Sequence, residues 1–228
     1  MSDLICELVK ETDPFLREKP ETFNFENPQV DPEKFSAQLI ENMIHHEGLG
    51  LSANQIGIPV QAFSMLMDEH ALVVFNPEIL EWSEDTTYMK EGCLSFPGLW
   101  IAIERAKSVA IKFQVFDGEE QAGSMTDLSA RIFQHESEHM DGDLFIDNVS
   151  DFKLKLAMRK RKVFLRELKK ENKIAADKAK GKADMERRIH AGSPYWRDFW
   201  KMCKHEKNPN GSSKSRKTCK VEYARVSS

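Results

Sequence analysis

The sequence predicts an α+β fold, in which antiparallel strands combine with a few helices and a basic, partly helical extension ends the chain. Short segments of alternating apolar residues lie between segments of helical periodicity, one of which carries a His-Glu-x-x-His motif. The chain has 228 residues, of which 40% are hydrophobic, so it can bury one main core. No apolar run approaches the roughly 20 residues that cross a bilayer, so we expect no membrane association.

The charge is distributed unevenly along the chain. Residues 1–152 hold 9 Lys or Arg against 29 Asp or Glu, and residues 153–228 hold 24 against 8. An acidic body with a basic C-terminal part predicts that the C-terminal part contacts a polyanion such as RNA or the ribosome. The N-terminus shows neither a secretory signal nor an Arg-rich transit peptide, and we therefore expect a cytoplasmic protein.

The region between residues 31 and 82 is predicted to form a helix and three strands. Apolar residues recur at helical spacing from Asp31 to His46, with Asp31 as cap and a proline in the first turn. A turn at Asn76-Pro77 is expected between the last two strands. The three predicted strands are residues 60–67, 71–75 and 79–82.

The next region is predicted to form antiparallel strands followed by a second helix. Apolar residues alternate at 100–103 and at 108–116, and Asp117-Gly118 then turns the chain into a hairpin. The second helix is predicted from about Asp127 to Met140, and it places both histidines of the motif on one face.

A third helix is predicted to start near Asp151, with basic residues at 159–162. Beyond Lys169 apolar anchors become rare, a short helix is predicted at 193–200, and residues 208–218 have the composition of a flexible linker.

The second helix carries the strongest chemical motif. His135 and His139 are four residues apart, so their imidazoles lie on one face and can bind one metal ion. Glu136, between them, could act on a metal-bound water. Such a catalytic site needs a third protein ligand and one open position.

A metalloprotease or another metallo-amidase is the alternative that the motif alone leaves open. A third histidine six residues after His139 is absent, because Phe145 is there, and the segment from Met140 to Arg166 contains no glutamate. The protease interpretation would need an aspartate as the third ligand. The four candidates are Asp141, Asp143, Asp147 and Asp151.

Two further segments suggest another assignment. Cys93 in Glu-Gly-Cys-Leu-Ser offers a thiolate ligand upstream of the motif. Residues 48–55, Gly-Leu-Gly-Leu-Ser-Ala-Asn-Gln, form a glycine-rich turn without the ending of a phosphate-binding loop. Together with Gln-His-Glu-Ser-Glu-His, these segments resemble the peptide deformylases, which remove the formyl group from the N-terminal methionine of new polypeptides.

The resemblance covers about residues 1–168 and leaves 169–228 as a basic extension. It implies antiparallel sheets packed around the central helix, and formylmethionyl nascent peptides as substrate. It also implies Cys93, His135 and His139 as ligands of one divalent metal, physiologically Fe(II). The S/N ligand set itself also accepts Zn, Ni or Co.

The resemblance implies roles for other residues of the site. Glu136 would be the general acid/base, and the Gln55 amide with the Leu94 backbone N–H would form the oxyanion site. Glu91 and Arg105 would form a supporting ion pair. The expected substrate-binding residues are Gly48, Leu49, Gly50, Leu128 and Ile132.

Three positions depart from the usual pattern of the family. Ser52 replaces a usual Ala and Glu138 a usual Asp, so contacts behind the ligands are expected to differ. Trp100 replaces an Arg that many members use to hold the peptide. A non-enzymatic RNA-binding protein is disfavoured, because every chemical position is present. Cys203, His205 and Cys219 offer three ligands for a small zinc site, but no fourth ligand lies at a suitable spacing, so such a site is not expected.

Overall fold

The computed structural model describes residues 5–67, 70–179 and 222–224, without side chains for 173–179 and 222–224. The predicted α+β class is confirmed. The α-helices are α1 (Pro32–His45), α2 (Asp127–Asp141) and α3 (Asp151–Ala179). The strands are β1 (Gly50–Ser52), β2 (Ala62–Met67), β3 (His70–Trp82), β4 (Thr86–Glu91), β5 (Ile101–Ala106), β6 (Ser108–Gln114), β7 (Glu120–Thr126) and β8 (Glu222–Ala224). Short 3₁₀ segments lie at Pro14–Arg17, Ala53–Ile56 and Phe145–Asn148.

The strands form two antiparallel sheets. The larger has the order β1-β2-β3-β6-β7-β8, and β4 pairs only with β5. The predicted hairpin after β6 is confirmed, because β6 and β7 pair from Ser108–Thr126 to Gln114–Glu120. Gly118 lies in its turn with φ of 85°, a conformation that glycine adopts without strain.

The predicted turn at Asn76-Pro77 is wrong. Strand β3 continues through these residues, and its pairing with β6 shifts register between Phe75 and Glu78. Asn76 has φ of 48°, and its side-chain amide is paired with the backbone N–H and C=O of Phe23 at 2.7 and 2.9 Å. The Asn-Pro signal therefore marks a bulge, where proline needs no ladder hydrogen bond and asparagine tolerates a left-handed backbone.

Helices α1 and α2 pack on opposite faces of the larger sheet. Along β3, Val73 and Phe75 belong to the apolar cluster that includes Leu39 of α1, whereas Val74 belongs to the cluster that includes Phe133 of α2. This alternation is the period of two expected for a strand buried on both faces. Helix α2 is consequently enclosed in the core, and the chemistry that it carries is buried.

Helix α1 begins as predicted. The Asp31 carboxylate accepts hydrogen bonds from the backbone N–H groups of Glu33 and Lys34, both at 3.1 Å, and Pro32 occupies the first turn. Such a cap satisfies donors that otherwise have no partner at the start of a helix.

The chain divides into two compact units. The first contains the described residues up to Leu154 together with β8, and the second begins at Lys155 and, where described, is the rest of α3. The boundary expected at residue 168 stays a prediction. The short helix at 193–200, the linker at 208–218 and the zinc site involving Cys203 lie outside the described residues. None of the described helices has the length and hydrophobicity to cross a membrane.

Candidate active site

Helix α2 positions two of the three expected metal ligands. It begins directly after β7 and ends at Gly142, whose φ is 78°. A Cβ at Gly142 would come within 2.5 Å of the Arg17 carbonyl oxygen, so this end of the helix requires glycine. His135 and His139 lie one turn apart and are 8% and 1% exposed.

Cys93 comes from the connection between β4 and β5. The carbonyl of Cys93 accepts a hydrogen bond from the Phe96 N–H at 2.9 Å, which tightens this connection. One ligand atom each of Cys93, His135 and His139 lie within 4.8 Å of one another, and Cys93 Sγ is 3.4 Å from His139 Nε2. We call these residues the metal trio. One thiolate and two imidazoles suit a tetrahedral metal with a fourth position open.

Two of the four aspartates that could serve as the third ligand in a protease form ion pairs with other residues. Asp141 forms an ion pair with Lys19 at 2.8 Å, and Asp147 forms one with Arg17. Cys93 is the third ligand that the geometry favours.

Burial and neighbouring charges give the two histidines opposite pKa shifts. Burial opposes a charged imidazole, but contacts with Cys93 and Glu91 raise the pKa of His135 well above 6.5. Burial, with the nearby His135, lowers the pKa of His139 well below 6.5. His139 is therefore neutral near pH 7, the form in which an imidazole binds metal.

Glu91 connects the trio to buried charged groups. Its Oε2 lies 3.2 Å from His135 Nδ1, which leaves Nε2 of this histidine for a metal. Arg105 donates to both Glu91 oxygens at 2.6 and 2.8 Å, and on its other side to both Glu138 oxygens at 2.6 and 2.9 Å. Burial alone would raise the pKa of Glu91, but hydrogen bonds with His135 and Arg105 lower it to about 2.

Glu136 lies buried beside the trio. Burial raises the pKa of Glu136 to about 7, and its Oε2 has no hydrogen-bond partner. The carboxyl packs against β1, where a Cβ on Gly50 would lie 2.3 Å from Oε1. A carboxyl with a pKa near neutrality can accept and return a proton at that pH.

Gln55 connects the glycine-rich segment to the trio. Its Nε2 donates to Cys93 Sγ and to Ser95 Oγ, both at 3.2 Å. Its Oε1 accepts hydrogen bonds from the backbone N–H and the hydroxyl of Ser52 at 3.0 and 3.1 Å. The amide nitrogen therefore faces the Cys93 sulfur of the metal trio and the neighbouring Ser95 hydroxyl.

The expected substrate-binding residues divide between two environments. Leu49, Leu128 and Ile132 all pack in the apolar cluster between α2 and the sheet. Gly48 permits close packing, because a Cβ there would lie 2.7 Å from Leu94 Cδ1. Gly48 and the residue after Cys93 are thus adjacent at the site.

Comparison with known proteins agrees with this geometry. Residues 5–155 match the family model described as polypeptide deformylase. The chain belongs to the peptide deformylase family. Members of this family are metallohydrolases that act on N-formyl amides.

Relatives from several bacteria support the assignment. A peptide deformylase of Thermotoga maritima is 41% identical over 151 residues, which cover 65% of this chain and 89% of the relative. One of Bartonella tribocorum is 37% identical over 164 residues, covering 68% and 90%. The crystal structure of the Thermotoga maritima enzyme aligns with a TM-score of 0.61 and 37% identity over 64% of this chain and 98% of that one. A Synechococcus elongatus deformylase in complex with actinonin aligns with 0.65 and 29% over 71% and 88%.

The three residues that depart from the usual family pattern lie in different parts of the structure. Ser52 is fully buried against Gln55, and Glu138 completes the charged network behind the ligands. Trp100 is half-buried immediately before β5. Its effect on peptide recognition stays a prediction.

The sequence analysis missed Arg131. It lies one turn before His135, and its buried guanidinium donates to Glu91 Oε1, to the Ile103 carbonyl at 3.1 Å and to the Thr87 carbonyl at 2.7 Å. A charged residue four positions before a ligand, on the same inward face, was the available signal. We call Glu91, Arg105, Arg131 and Glu138 the ion-pair network.

Proposed function

We propose that this chain is a metal-dependent peptide deformylase that hydrolyses the N-formyl group of N-terminal formylmethionine on nascent polypeptides and releases formate. The observation that carries the proposal is the convergence of Cys93, His135 and His139 on one point beside the buried Glu136. This donor set leaves a coordination position for a water or a carbonyl oxygen.

The metal would be held by the trio, with Fe(II) as the physiological ion. A divalent ion there supplies a nucleophile at neutral pH, by lowering the pKa of a water, and polarises the formyl carbonyl. Zn, Ni and Co are also compatible with one sulfur and two nitrogen ligands. The Glu91 carboxylate would hold His135 in the tautomer that presents Nε2.

Glu136 would carry the proton transfer. With its pKa raised to about 7, its ionised form can take a proton from the attacking water, and the resulting acid can give it to the departing amine nitrogen. An amine is a poor leaving group unless it is protonated. The unpaired Oε2 of Glu136 supports this role, because it leaves an acceptor available for that proton.

Gln55 and Leu94 would stabilise the charge that develops on the formyl oxygen. The Gln55 Nε2 lies within 3.2 Å of a ligand sulfur, so one of its N–H groups is close to any oxygen that approaches the metal. The backbone N–H of Leu94, next to Cys93, would be the second donor. A donor of this kind contributes roughly 3 kcal/mol to the transition state in other oxyanion sites.

The methionine side chain would lie near Leu49, Leu128 and Ile132. These side chains pack on the same apolar cluster beside the trio. Gly48 and Gly50 would contact the peptide through their backbone, and the absence of a Cβ at each leaves room for Leu94 and Glu136. A deformylase of Acinetobacter baumannii with Met-Ala-Ser bound aligns with 26% identity, and its ligand agrees with a peptide that begins in methionine.

The basic C-terminal segment would dock this cytoplasmic enzyme on the ribosome, where formylated chains emerge. In α3, Arg159, Lys160 and Lys162 are exposed, whereas residues 1–152 carry an excess of acidic residues. Basic side chains bind RNA phosphates with release of counterions, so ribosome affinity should fall steeply with salt. Truncation after Glu167 should leave hydrolysis of a short formyl peptide nearly unchanged and weaken co-sedimentation with ribosomes. Equal co-sedimentation at low salt would refute docking.

The enzymatic proposal is tested by formate release from formyl-Met-Ala-Ser, with the bound metal quantified. Cys93→Ala should lose both metal and activity, whereas a protease that uses an aspartate ligand would keep its metal. A variant that retains stoichiometric metal and the wild-type rate would overturn the assignment.

A further inference from the structure

Ser52 lies between two groups on which the proposed function depends. It is fully buried at the end of β1. Gly50 and Ser52 are on the same face of this strand, and Gly50 packs closely against Glu136. The Ser52 hydroxyl lies near both Glu136 and Gln55, and its single hydrogen is directed at Gln55 Oε1, 3.1 Å away.

Ser52 supplies both donors to the Gln55 carbonyl oxygen. The backbone N–H is 3.0 Å and the hydroxyl oxygen 3.1 Å from Oε1. A backbone N–H can only donate, so the amide oxygen must face Ser52 and the amide nitrogen must face Cys93 and Ser95. If the Gln55 amide were rotated by 180°, its nitrogen would face the two Ser52 donors. Its carbonyl oxygen would then face Cys93 and Ser95.

We infer that Ser52 is a positioning residue, whose hydroxyl holds the Gln55 amide with its N–H groups directed at the developing oxyanion. This inference rests on the proposed function. Without the hydroxyl, one hydrogen bond would hold Oε1 instead of two, and the amide would rotate more freely. A donor that is not preorganised contributes less to the transition state than a fixed one.

An effect through Gln55 differs from one through Glu136, because only the former disappears when the Gln55 side chain is absent. Glu136 is confined by packing against Gly50, where no side-chain atom could be added. Both hydrogen bonds that Gln55 Oε1 accepts come from Ser52. Loss of the hydroxyl therefore removes one of the two hydrogen bonds that hold this oxygen.

Ser64 provides a matched control. It is also a fully buried serine, and in the pairing of β1 with β2 it lies opposite Leu51, the neighbour of Ser52. Its hydroxyl donates to the backbone carbonyl of Leu39 at 3.1 Å instead of to a side chain of the site. Ser64→Ala should lower thermal stability without lowering kcat.

The test is a double-mutant cycle with formyl-Met-Ala-Ser and zinc-loaded enzyme. Ser52→Ala should lower kcat by about three- to tenfold, the effect of one hydrogen bond, with KM changed less than about twofold. In a Gln55→Ala background the same substitution should change kcat less than about twofold, because the group that it positions is gone. An equal loss in both backgrounds would overturn the inference.

A second measurement does not depend on activity. In zinc-loaded protein labelled with ¹⁵N, the Gln55 side-chain amide should be rigid, with a high order parameter at Nε2, and Ser52→Ala should lower that order parameter. An unchanged order parameter would refute the positioning role. If the wild-type enzyme released no formate, the proposed function would fail, whereas the amide resonances would still report whether Ser52 holds Gln55.

Discussion

Helix α2 contributes to two buried polar clusters that differ in how completely their atoms are paired. In the ion-pair network, every oxygen of Glu91 and Glu138 accepts at least one hydrogen bond. Beside the metal trio, by contrast, Glu136 Oε2 and His139 Nδ1 have no hydrogen-bond partner. The network has one unpaired atom, Arg131 Nε.

This difference in pairing indicates that the ion-pair network stabilises the fold, whereas the groups beside the metal trio take part in the reaction. Buried polar groups are nearly always paired, so the carboxylates of the network, whose oxygens are all paired, fix a geometry, whereas unpaired acceptors beside the trio indicate groups available for a ligand or a proton. Substitutions in the ion-pair network should therefore reduce stability more than chemistry. Substitutions beside the metal trio should reduce kcat more than they reduce the free energy of unfolding.

The largest effect on stability is expected for Arg105→Met. This change removes the guanidinium between Glu91 and Glu138, and the loss of one partner from a buried ion pair costs roughly 3–5 kcal/mol. Urea unfolding of metal-loaded protein measures the change. A loss under about 1 kcal/mol would mean that the network does not hold the helix in place.

Acid should remove the stabilisation that Glu91 provides. Its pKa is lowered in the folded state from 4.5 to about 2, so its contribution is complete above pH 4.5 and is lost as the pH falls towards 2. At about 1.36 kcal/mol per pH unit, this contribution is on the order of 3 kcal/mol. Glu91→Gln should be less stable than wild type at pH 7, and the difference should shrink in acid. A difference that stays constant from pH 7 to pH 3 would contradict the assigned pKa.

Glu136→Gln should affect chemistry without affecting metal binding. The substitution keeps the size of the side chain and removes its basicity, so kcat should fall by about 10²-fold, equivalent to about 2.7 kcal/mol, while metal content stays stoichiometric. Glu138→Gln is the comparison in the ion-pair network. It should lower the free energy of unfolding and leave kcat within a few-fold. Loss of metal from Glu136→Gln would make this residue a ligand and the proposed mechanism wrong.

The smallest effect is expected at a surface ion pair. Lys19 and Asp141 lie 2.8 Å apart, but their side chains are 63% and 60% exposed. Lys19→Met should change the free energy of unfolding by less than about 1 kcal/mol and leave kcat unaltered. A larger loss of unfolding free energy would contradict the inference that exposed ion pairs contribute much less to stability than the buried ion-pair network.

Local patterns predicted the parts of the structure that depend on nearby residues. Helix α2 and its two histidines follow from helical spacing, and the cap at Asp31 follows from its position before Pro32. The bulge at Asn76 could not be predicted, because its amide is paired with Phe23, 53 residues earlier in the chain.

The features of the active site that depend on residues distant in the chain were likewise not predictable from local patterns. Cys93 is a plausible ligand by residue type, but only the family resemblance linked it to a helix 42 residues further on. The partners of Arg131 come from two strands, β4 and β5, which lie 28 to 44 residues earlier in the chain, so no local pattern could identify them. The roles of Ser52 and Ser95 likewise depend on where the Gln55 amide points.

The central claim is that Cys93, His135 and His139 bind one divalent metal ion. X-ray absorption spectroscopy of zinc-loaded protein tests it directly, because sulfur and nitrogen ligands differ in distance. We predict one sulfur at about 2.3 Å and two imidazole nitrogens at about 2.0–2.1 Å, with the sulfur lost in Cys93→Ser. A spectrum with nitrogen and oxygen ligands alone in the wild-type protein would contradict the account.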